Sequence, residues 1–189
     1  MVVKDVLRSA VLFVNKAELL GLNAFDEASE TAPTISQQAD IDLFVQCFNY
    51  VYKEIASGYF PLLEKEKVVF KDNKFYFKDL SKQIIFVKKI SKGNKKLKFY
   101  LYPEYIECET DSAEIVYAYL PNDFVLTDEV NLFGGKVLSQ VMAYGVAREY
   151  CLIMGNYSDA DVWENRFKNS LENIASKKMN VVIPKRRFF

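Results

Sequence analysis

The sequence predicts an α+β protein: a helical bundle of about four helices with an inserted small antiparallel β unit. Two observations predict this class. Apolar residues recur at helical spacing near both ends of the chain, whereas short β-rich runs separated by turn residues occupy the middle. We predict one discontinuous helical domain (residues 1–61 and 120–180), an inserted β domain (residues 62–119) and an extended C-terminal docking tail (residues 181–189).

The first half of the bundle comes from two amphipathic segments. Apolar side chains at every third or fourth position predict a helix over residues 3–20, with Gly21 as its stop signal. A polar, acidic linker follows. Thr34 and Gln37 then have the spacing of a capping box, which predicts a second helix over about residues 35–57.

The middle of the chain is rich in short strand-like runs. Residues 68–70 and 75–77 flank a turn-like Lys-Asp-Asn-Lys sequence, which predicts a hairpin. Residues 84–87 and 97–101 flank a Ser-Lys-Gly-Asn sequence, which predicts a second hairpin. A last strand over residues 114–119 completes an antiparallel unit of about five or six strands.

Helical spacing returns after the β unit. It predicts a third helix over about residues 129–154 and a fourth over about residues 159–177. Gly145 lies inside the third helix, where it allows a neighbouring helix to pack closely at some cost in helix propensity. The two helical pairs on either side of the insertion need each other to bury their apolar stripes.

Composition excludes several kinds of catalytic site. The chain has no histidine, so a Ser-His-Asp or Cys-His relay and a histidine zinc ligand are excluded. Glu54 and Glu149 could form a carboxylate pair, but we expect each to be solvated or paired with Lys53 or Arg148. The sequence therefore predicts no catalytic residue and no enzymatic activity.

The three cysteines, Cys47, Cys108 and Cys151, are widely separated and have no C-x-x-C spacing. We expect them to be small buried hydrophobes rather than disulfide partners or zinc ligands, and we expect no cofactor. The opening residues lack the pattern of a signal peptide, and no apolar run reaches the roughly 18 residues of a membrane span. These observations predict a soluble protein that folds in the cytoplasm.

Charge is balanced overall, 25 basic against 25 acidic residues, but it is segregated along the chain. An acidic stretch precedes residue 53, residues 82–98 hold seven lysines, and residues 104–114 are acidic again. Such blocks suit a protein that packs against copies of itself or against oppositely charged neighbours. The candidate contact residues of the lysine-rich hairpin are Lys88, Lys89, Lys92, Lys95, Lys96 and Lys98.

Two alternatives stay open for this hairpin. Lysines commonly protect the edge of a sheet from unwanted pairing, which would be a purely structural role. Interleaved with Phe86 and Phe99, the lysines could also grip phosphates, which would make the chain a nucleic-acid-binding protein.

The C-terminal tail combines a stiffening proline, three consecutive cations and two terminal phenylalanines. This combination suits a binding arm, in which the cations meet an acidic surface and the rings fill pockets. A disordered end is the alternative interpretation. The candidate docking residues are Ile183, Pro184, Lys185, Arg186, Arg187, Phe188 and Phe189.

The order of elements carries a resemblance to a known family. The β insertion begins after Tyr59-Phe60-Pro61 and ends at Tyr119-Leu120-Pro121. A helix containing residues 143–150 follows, then the turn at residues 155–160 and a last helix starting near Trp163. In this layout the chain resembles the head–tail adaptor (connector) proteins of tailed bacteriophages, most of all the tail tubular protein A type of short-tailed phages.

The resemblance implies a virion protein at the head–tail interface, in a ring of about twelve copies beneath the portal. The helical bundle and the C-terminal tail would dock on the portal protein, and the β insertion would point towards a tail or nozzle protein. Its lysine-rich hairpin, with Lys88, Lys89, Lys92, Lys95, Lys96 and Lys98, would then be a tail-side or DNA-facing element. Double-stranded DNA would pass through the channel without sequence-specific readout. The resemblance implies no membrane contact.

Overall fold

The computed structural model describes residues 1–176 and confirms the α+β class, with four α-helices and antiparallel sheets among the described residues. The chain divides into two compact units. The first comprises Met1–Val51 and the described residues from Phe124 onwards, and the second comprises Tyr52–Asp123. The predicted tail, residues 181–189, and its docking residues lie outside the described residues.

The described helices are α1 (Val3–Phe13), α2 (Ile35–Gly58), α3 (Ser139–Ile153) and α4 (Tyr157–Ser176). A short 3₁₀ helix, Ala17–Gly21, follows α1. The predicted apolar stripes form the core of the first unit, where each fully buried large side chain contributes about 1.5–3 kcal/mol by leaving water. The fully buried side chains of this unit include Val6, Leu7, Phe44, Phe48, Met142, Val146, Phe167 and Leu171.

The start of α2 is the predicted capping box. The backbone N–H of Gln37 donates to the hydroxyl oxygen of Thr34 at 3.3 Å. The backbone N–H of Thr34 donates in return to the side-chain oxygen of Gln37 at 2.9 Å. Both groups would otherwise lack a partner in the first turn, so this exchange fixes where α2 begins.

The first helix is shorter than the sequence predicts. The prediction of one helix over residues 3–20 is wrong, because α1 ends at Phe13. Asn15 adopts a left-handed φ of 58°, which no residue inside an α-helix can have. The helix-like apolar spacing continues beyond this turn because Leu19, which belongs to the 3₁₀ helix, is also buried in the core.

The third helix also starts later than predicted. The predicted range 129–154 is wrong at its beginning, since α3 starts at Ser139. Phe133, Gly134 and Gly135 all have positive φ, at 55°, 68° and 76°, and three successive left-handed residues break a right-handed helix. The segment before α3 still buries apolar side chains, so its spacing mimics a helix: Val130, Leu132, Phe133 and Val137.

A buried asparagine of α2 binds the backbone at Phe124, where the second part of the first unit begins. Buried Asn49 donates its side-chain amide to the carbonyl oxygen of Phe124 at 3.0 Å. It also accepts from the backbone N–H of Phe124 at 2.8 Å. Asn49 therefore pairs with both backbone groups of one residue, as a strand neighbour would, and satisfies its own buried amide.

The second unit contains two antiparallel sheets. The four-stranded sheet has the order β1-β7-β3-β4, and the three-stranded sheet has the order β2-β6-β5. The strands are β1 (Leu63–Val69), β2 (Lys74–Tyr76), β3 (Ile84–Lys92), β4 (Lys95–Lys96), β5 (Tyr100–Leu101), β6 (Tyr105–Glu107) and β7 (Ser112–Tyr119).

Side chains from both sheets form one apolar cluster in this unit. Strand β7 is central to the larger sheet and alternates between buried and half-buried positions, as a strand with one face on the core does. The buried members of the cluster are Val68, Phe70, Phe75, Ile90, Ile106, Cys108, Ala113, Ile115 and Tyr117.

The first predicted hairpin is wrong. Residues 68–70 do not pair with residues 75–77, because β1 pairs with β7 and β2 pairs with β6. Only an isolated bridge between Lys71 and Lys74 closes the turn between the two segments. The predicted turn between the two segments is present, but β1 and β2 each pair over more residues with a strand that is distant in the sequence.

The second predicted hairpin is right at its turn and wrong in its length. Gly93, with a φ of 58°, lies in the tight turn that joins β3 to β4. The pairing between these strands covers only two residue pairs, Ser91 with Lys96 and Lys92 with Lys95. The chain then leaves this sheet, and β5 joins the other sheet beside β6.

Candidate functional site

The lysine-rich hairpin places like charges opposite one another. Lys92 and Lys95 are direct cross-strand partners on either side of the Gly93 turn. Like charges directly opposite each other destabilise a sheet. This end of the hairpin therefore has a positive potential that an anionic group would relieve.

The six predicted lysines are brought together only in part. Lys92, Lys95 and Lys96 lie at the tip of the hairpin, while Lys88 and Lys89 lie further back on β3. All except half-buried Lys89 are exposed. None of the six forms an ion pair within the described part of the chain. Other lysines of this unit do: Lys65 pairs with Glu114 at 2.8 Å and Lys82 with Glu64 at 2.6 Å.

A groove of about 450 Å³ lies beside the hairpin tip, within the β unit. The buried thiol of Cys108 lies at its wall and donates to the carbonyl oxygen of Lys98 at 3.4 Å. Burial raises the pKa of this thiol, which keeps it protonated and unreactive. The groove is lined by Lys95, Lys96, Leu97, Lys98, Tyr100, Glu107, Cys108 and Glu109.

One face of the three-stranded sheet is covered by tyrosines, and the sequence reasoning missed it. The ring of Tyr105 stacks on Tyr102 with centroids 4.6 Å apart and contacts Tyr76 at 5.6 Å. Tyr100 lies on the same face, because its cross-strand partner is Glu107, two residues from Tyr105 along β6. We call Tyr76, Tyr100, Tyr102 and Tyr105 the tyrosine face.

Charged groups surround the tyrosine face. The ammonium group of Lys74 lies 5.1 Å from the ring centroid of Tyr105, and that of Lys78 lies 5.6 Å from the ring of Tyr76. The negative charge of Glu107 raises the pKa of the Tyr102 hydroxyl, to which it is hydrogen-bonded. Tyrosine combines a large apolar ring with a polar tip, which makes such a face suitable for binding.

A local signal for part of this face was present in the sequence. Tyr102 and Tyr105 flank Pro103-Glu104, a two-residue turn between short strands. A hairpin at this turn places the two rings opposite each other. No local sequence pattern predicts that Tyr76 joins this face, because β2 and β6 are distant in the sequence and meet only in the folded chain.

In the first unit, the predicted carboxylate candidate Glu149 forms an ion pair. The guanidinium of buried Arg148 lies 2.6 Å from Glu149 and 2.8 Å from Glu164 of α4. It also lies over the ring of Phe167, 4.9 Å from the centroid. Burial acts to raise the pKa of Glu164, but hydrogen bonds from Arg148 and Lys168 outweigh it, so that this pKa is lowered. Lys53, one of the cations expected beside the other candidate, Glu54, pairs with Asp123 at 2.5 Å.

The three cysteines are free and buried, as predicted. Burial raises the pKa of Cys47 to about 12, so this thiol stays neutral. Among residues 1–176, no group of three or more acidic or cysteine side chains is placed to hold a metal ion. Over the same residues, the structure contains no helix with the length and apolar character needed to span a membrane.

No protein-family model matches this chain, and no curated protein is similar enough to count as a relative. The fold alone defines the class of this protein: it is an α+β chain that forms two compact units. Its candidate site is the surface of the β unit that joins the hairpin lysines, the groove and the tyrosine face.

Proposed function

We propose that the protein is a structural head–tail connector of a bacteriophage particle. It would form a ring between the portal and the tail through which DNA passes. The observation that carries the proposal is the order of elements: α1 and α2 precede a single β unit, and α3 and α4 follow it. This is the layout on which the resemblance to the head–tail adaptor proteins rests.

An exposed apolar corner in the helical unit supports an assembly role. At the junction of α3 and α4, Leu152, Ile153 and Met154 are 42–50% exposed, and Tyr157 is 71% exposed. Scattered exposed hydrophobes are ordinary on a protein surface, whereas a contiguous exposed apolar patch is typical of a contact with another protein. In the proposed ring, this corner would contact a neighbouring copy or the portal.

The unpaired lysines of the hairpin fit a channel that carries DNA without reading its sequence. Contacts from lysine to phosphate are electrostatic and independent of sequence. Arginine is the commoner reader of guanine, and the hairpin from β3 to β4 carries none.

The test combines the coding context with assembly. We expect portal, capsid or tail reading frames beside the coding sequence. The purified chain should be monomeric at micromolar concentration in 0.5 M salt. It should form rings, visible by electron microscopy, when mixed with the portal protein encoded in the same genome. A coding sequence without such neighbours, together with no ring on any portal, would overturn the proposal.

A nucleic-acid-binding protein is the second candidate function, favoured by the unpaired lysines of the hairpin. Fluorescence anisotropy with a labelled duplex separates the two functions. If four to six lysines contact phosphates, log K should fall with log salt concentration with a slope of about −4 to −5. For a connector, affinity for free duplex should be weak, and ring formation should not need DNA.

A further inference from the structure

Strand β5 is an open edge of the three-stranded sheet. The order of that sheet is β2-β6-β5, so among residues 1–176 the strand β5 pairs with β6 alone. An open edge presents unpaired backbone groups and is a template for a further strand. Proteins commonly protect such edges with lysine or proline on the strand itself, but β5 consists of Tyr100 and Leu101.

The register shows which backbone groups of β5 are available. The N–H of Tyr102 donates to the carbonyl oxygen of Tyr105 at 2.9 Å, so these two residues form a hydrogen-bonded pair. Bonded and non-bonded pairs alternate along antiparallel strands. Leu101, opposite Ile106, is therefore a non-bonded pair, and its N–H and C=O point away from β6.

The side chains of this edge are unusually exposed for apolar and aromatic residues. Tyr100 is 72% exposed, Leu101 57% and Tyr102 40%. A strand added at this edge would place alternate side chains beside the tyrosine face and the others beside Leu101. Burial of these three residues would then accompany the new backbone hydrogen bonds.

Charge indicates the chemistry of the added strand. The groove next to β5 is lined by Lys95, Lys96 and Lys98, which form no ion pair within the described residues. Of the acidic groups on the same groove, Glu107 is already hydrogen-bonded to Tyr102. Glu109 also lines the groove, so three lysines face two glutamates and the formal net charge beside the edge is positive.

We propose that the β5 edge binds an extended acidic peptide segment of a partner protein by β-strand addition. Backbone hydrogen bonds to Leu101 would supply affinity. The lysines of the groove would select acidic side chains, and the tyrosine face would pack against alternate residues. This inference needs only the β unit and does not rest on the connector function.

The experiment titrates the ¹⁵N-labelled full chain with an end-blocked octapeptide of alternating valine and glutamate. We expect saturable amide shifts at Tyr100–Tyr102 and at Lys95–Lys98, and protection of the Leu101 amide from hydrogen exchange. Leu101→Pro removes the outward N–H without removing a bond to β6 and should weaken binding about tenfold. The matched variant Leu101→Val keeps that N–H and should bind within about twofold of the wild type.

A further pair of peptides keeps the test independent of whether Leu101→Pro folds. The same octapeptide methylated on every backbone nitrogen cannot pair as a strand and should not bind. A peptide of alternating valine and lysine should bind at least about tenfold more weakly, because it meets like charge. Equal binding of the acidic and basic peptides would overturn the proposal, as would unchanged binding of the methylated peptide.

Two other occupants would also overturn it. If the chain without peptide dimerises in a way that Leu101→Pro abolishes, the edge binds a second copy instead. If oligothymidylate shifts the same amides and Leu101→Pro leaves that binding unchanged, the surface is a base-stacking platform for single strands.

Discussion

Gly145 of α3 packs directly against the side chain of Val51 of α2, which leaves no room for a β-carbon at residue 145. A β-carbon on residue 145 would lie 2.6 Å from Cγ1 of Val51 and 2.9 Å from Cε2 of Phe167. A β-carbon in a protein essentially never lies within 3.0 Å of a heavy atom to which it is not bonded. The predicted close approach at Gly145 is confirmed, and both neighbours are fully buried.

Gly145→Ala should therefore destabilise the protein. Alanine improves helix propensity by about 1 kcal/mol, but overpacking a filled core costs about 1–3 kcal/mol. We expect a net loss of up to about 2 kcal/mol in the free energy of unfolding, measured by urea denaturation. The matched control is Gly58→Ala, because a β-carbon at Gly58 meets nothing within 4 Å. A destabilisation by Gly58→Ala equal to that of Gly145→Ala would contradict this account.

The neighbour of Gly145 offers a second check of the same contact. Val51→Ala removes the two methyl carbons that the new β-carbon would strike. In the double variant with Gly145→Ala, the loss should be smaller than the sum of the two single losses. Strict additivity would show that the close contact is not the cause.

Acid should weaken the contact between α3 and α4 through Glu164. Its pKa is lowered from the ordinary 4.5 by Arg148 and Lys168, so the unfolded chain binds a proton more readily than the folded one. The stabilisation is therefore present above pH 4.5 and is lost as the pH falls through the lower pKa of the folded state. Glu164→Gln should flatten the dependence of unfolding free energy on pH below about 4.5.

Removing the cation should cost stability at neutral pH. The side chain of Arg148 is only 7% exposed and contacts two carboxylates. Arg148→Met leaves both carboxylates without it and should cost about 2–4 kcal/mol at pH 7. The double variant Arg148→Met with Glu164→Gln should recover part of this loss. If the loss were unchanged, the ion pair with Glu164 would not be the relevant contact.

The opposed lysines of the hairpin predict a stabilising substitution. Lys95→Glu places a carboxylate directly opposite Lys92 and should raise the free energy of unfolding by about 0.2–1 kcal/mol. Lys88→Glu is the matched control, because Lys88 lies at the register shift between Val87 and Lys89 and has no direct cross-strand partner. Thermal unfolding at low and high salt measures both variants. An equal effect of the two would show that overall charge, not the cross-strand pair, decides the result.

The tail, which lies outside the described residues, should matter for docking and not for folding. Under the proposed connector function, deleting residues 184–189 should leave the melting temperature nearly unchanged and abolish attachment to filled capsids. Burying one phenylalanine contributes about 1.5–3 kcal/mol, whereas ordering one residue costs about 1–2 kcal/mol of backbone entropy. Two phenylalanines therefore cannot order the whole tail, and the cations must contribute to docking as well. Phe188→Ala with Phe189→Ala retains the cations and should dock weakly rather than not at all. Infectious particles at normal yield from the truncated protein would disprove the docking role.

Apolar periodicity predicted the helical segments, because the burial of one face repeats with the turn of the helix whatever lies opposite. Thr34 and Gln37 predicted the start of α2 because a capping box is satisfied within four residues. The same spacing did not reveal where α3 starts. Left-handed residues at 133–135 allow an irregular segment to bury its side chains at helix-like intervals.

Sequence alone determined what is local: the α+β class, the capping box, the tight turn at Gly93 and the lysines around it. Tertiary structure decided what depends on partners distant in the chain. The partner of β1 is β7, and β2 lies beside β6, so Tyr76 meets Tyr105 across a separation that no local pattern encodes. Alternation along a strand determines which of its side chains share a face. It does not determine which strand lies beside it, because backbone hydrogen bonds form equally well with any strand of suitable register. Only the long-range pairing of the folded chain places those faces side by side.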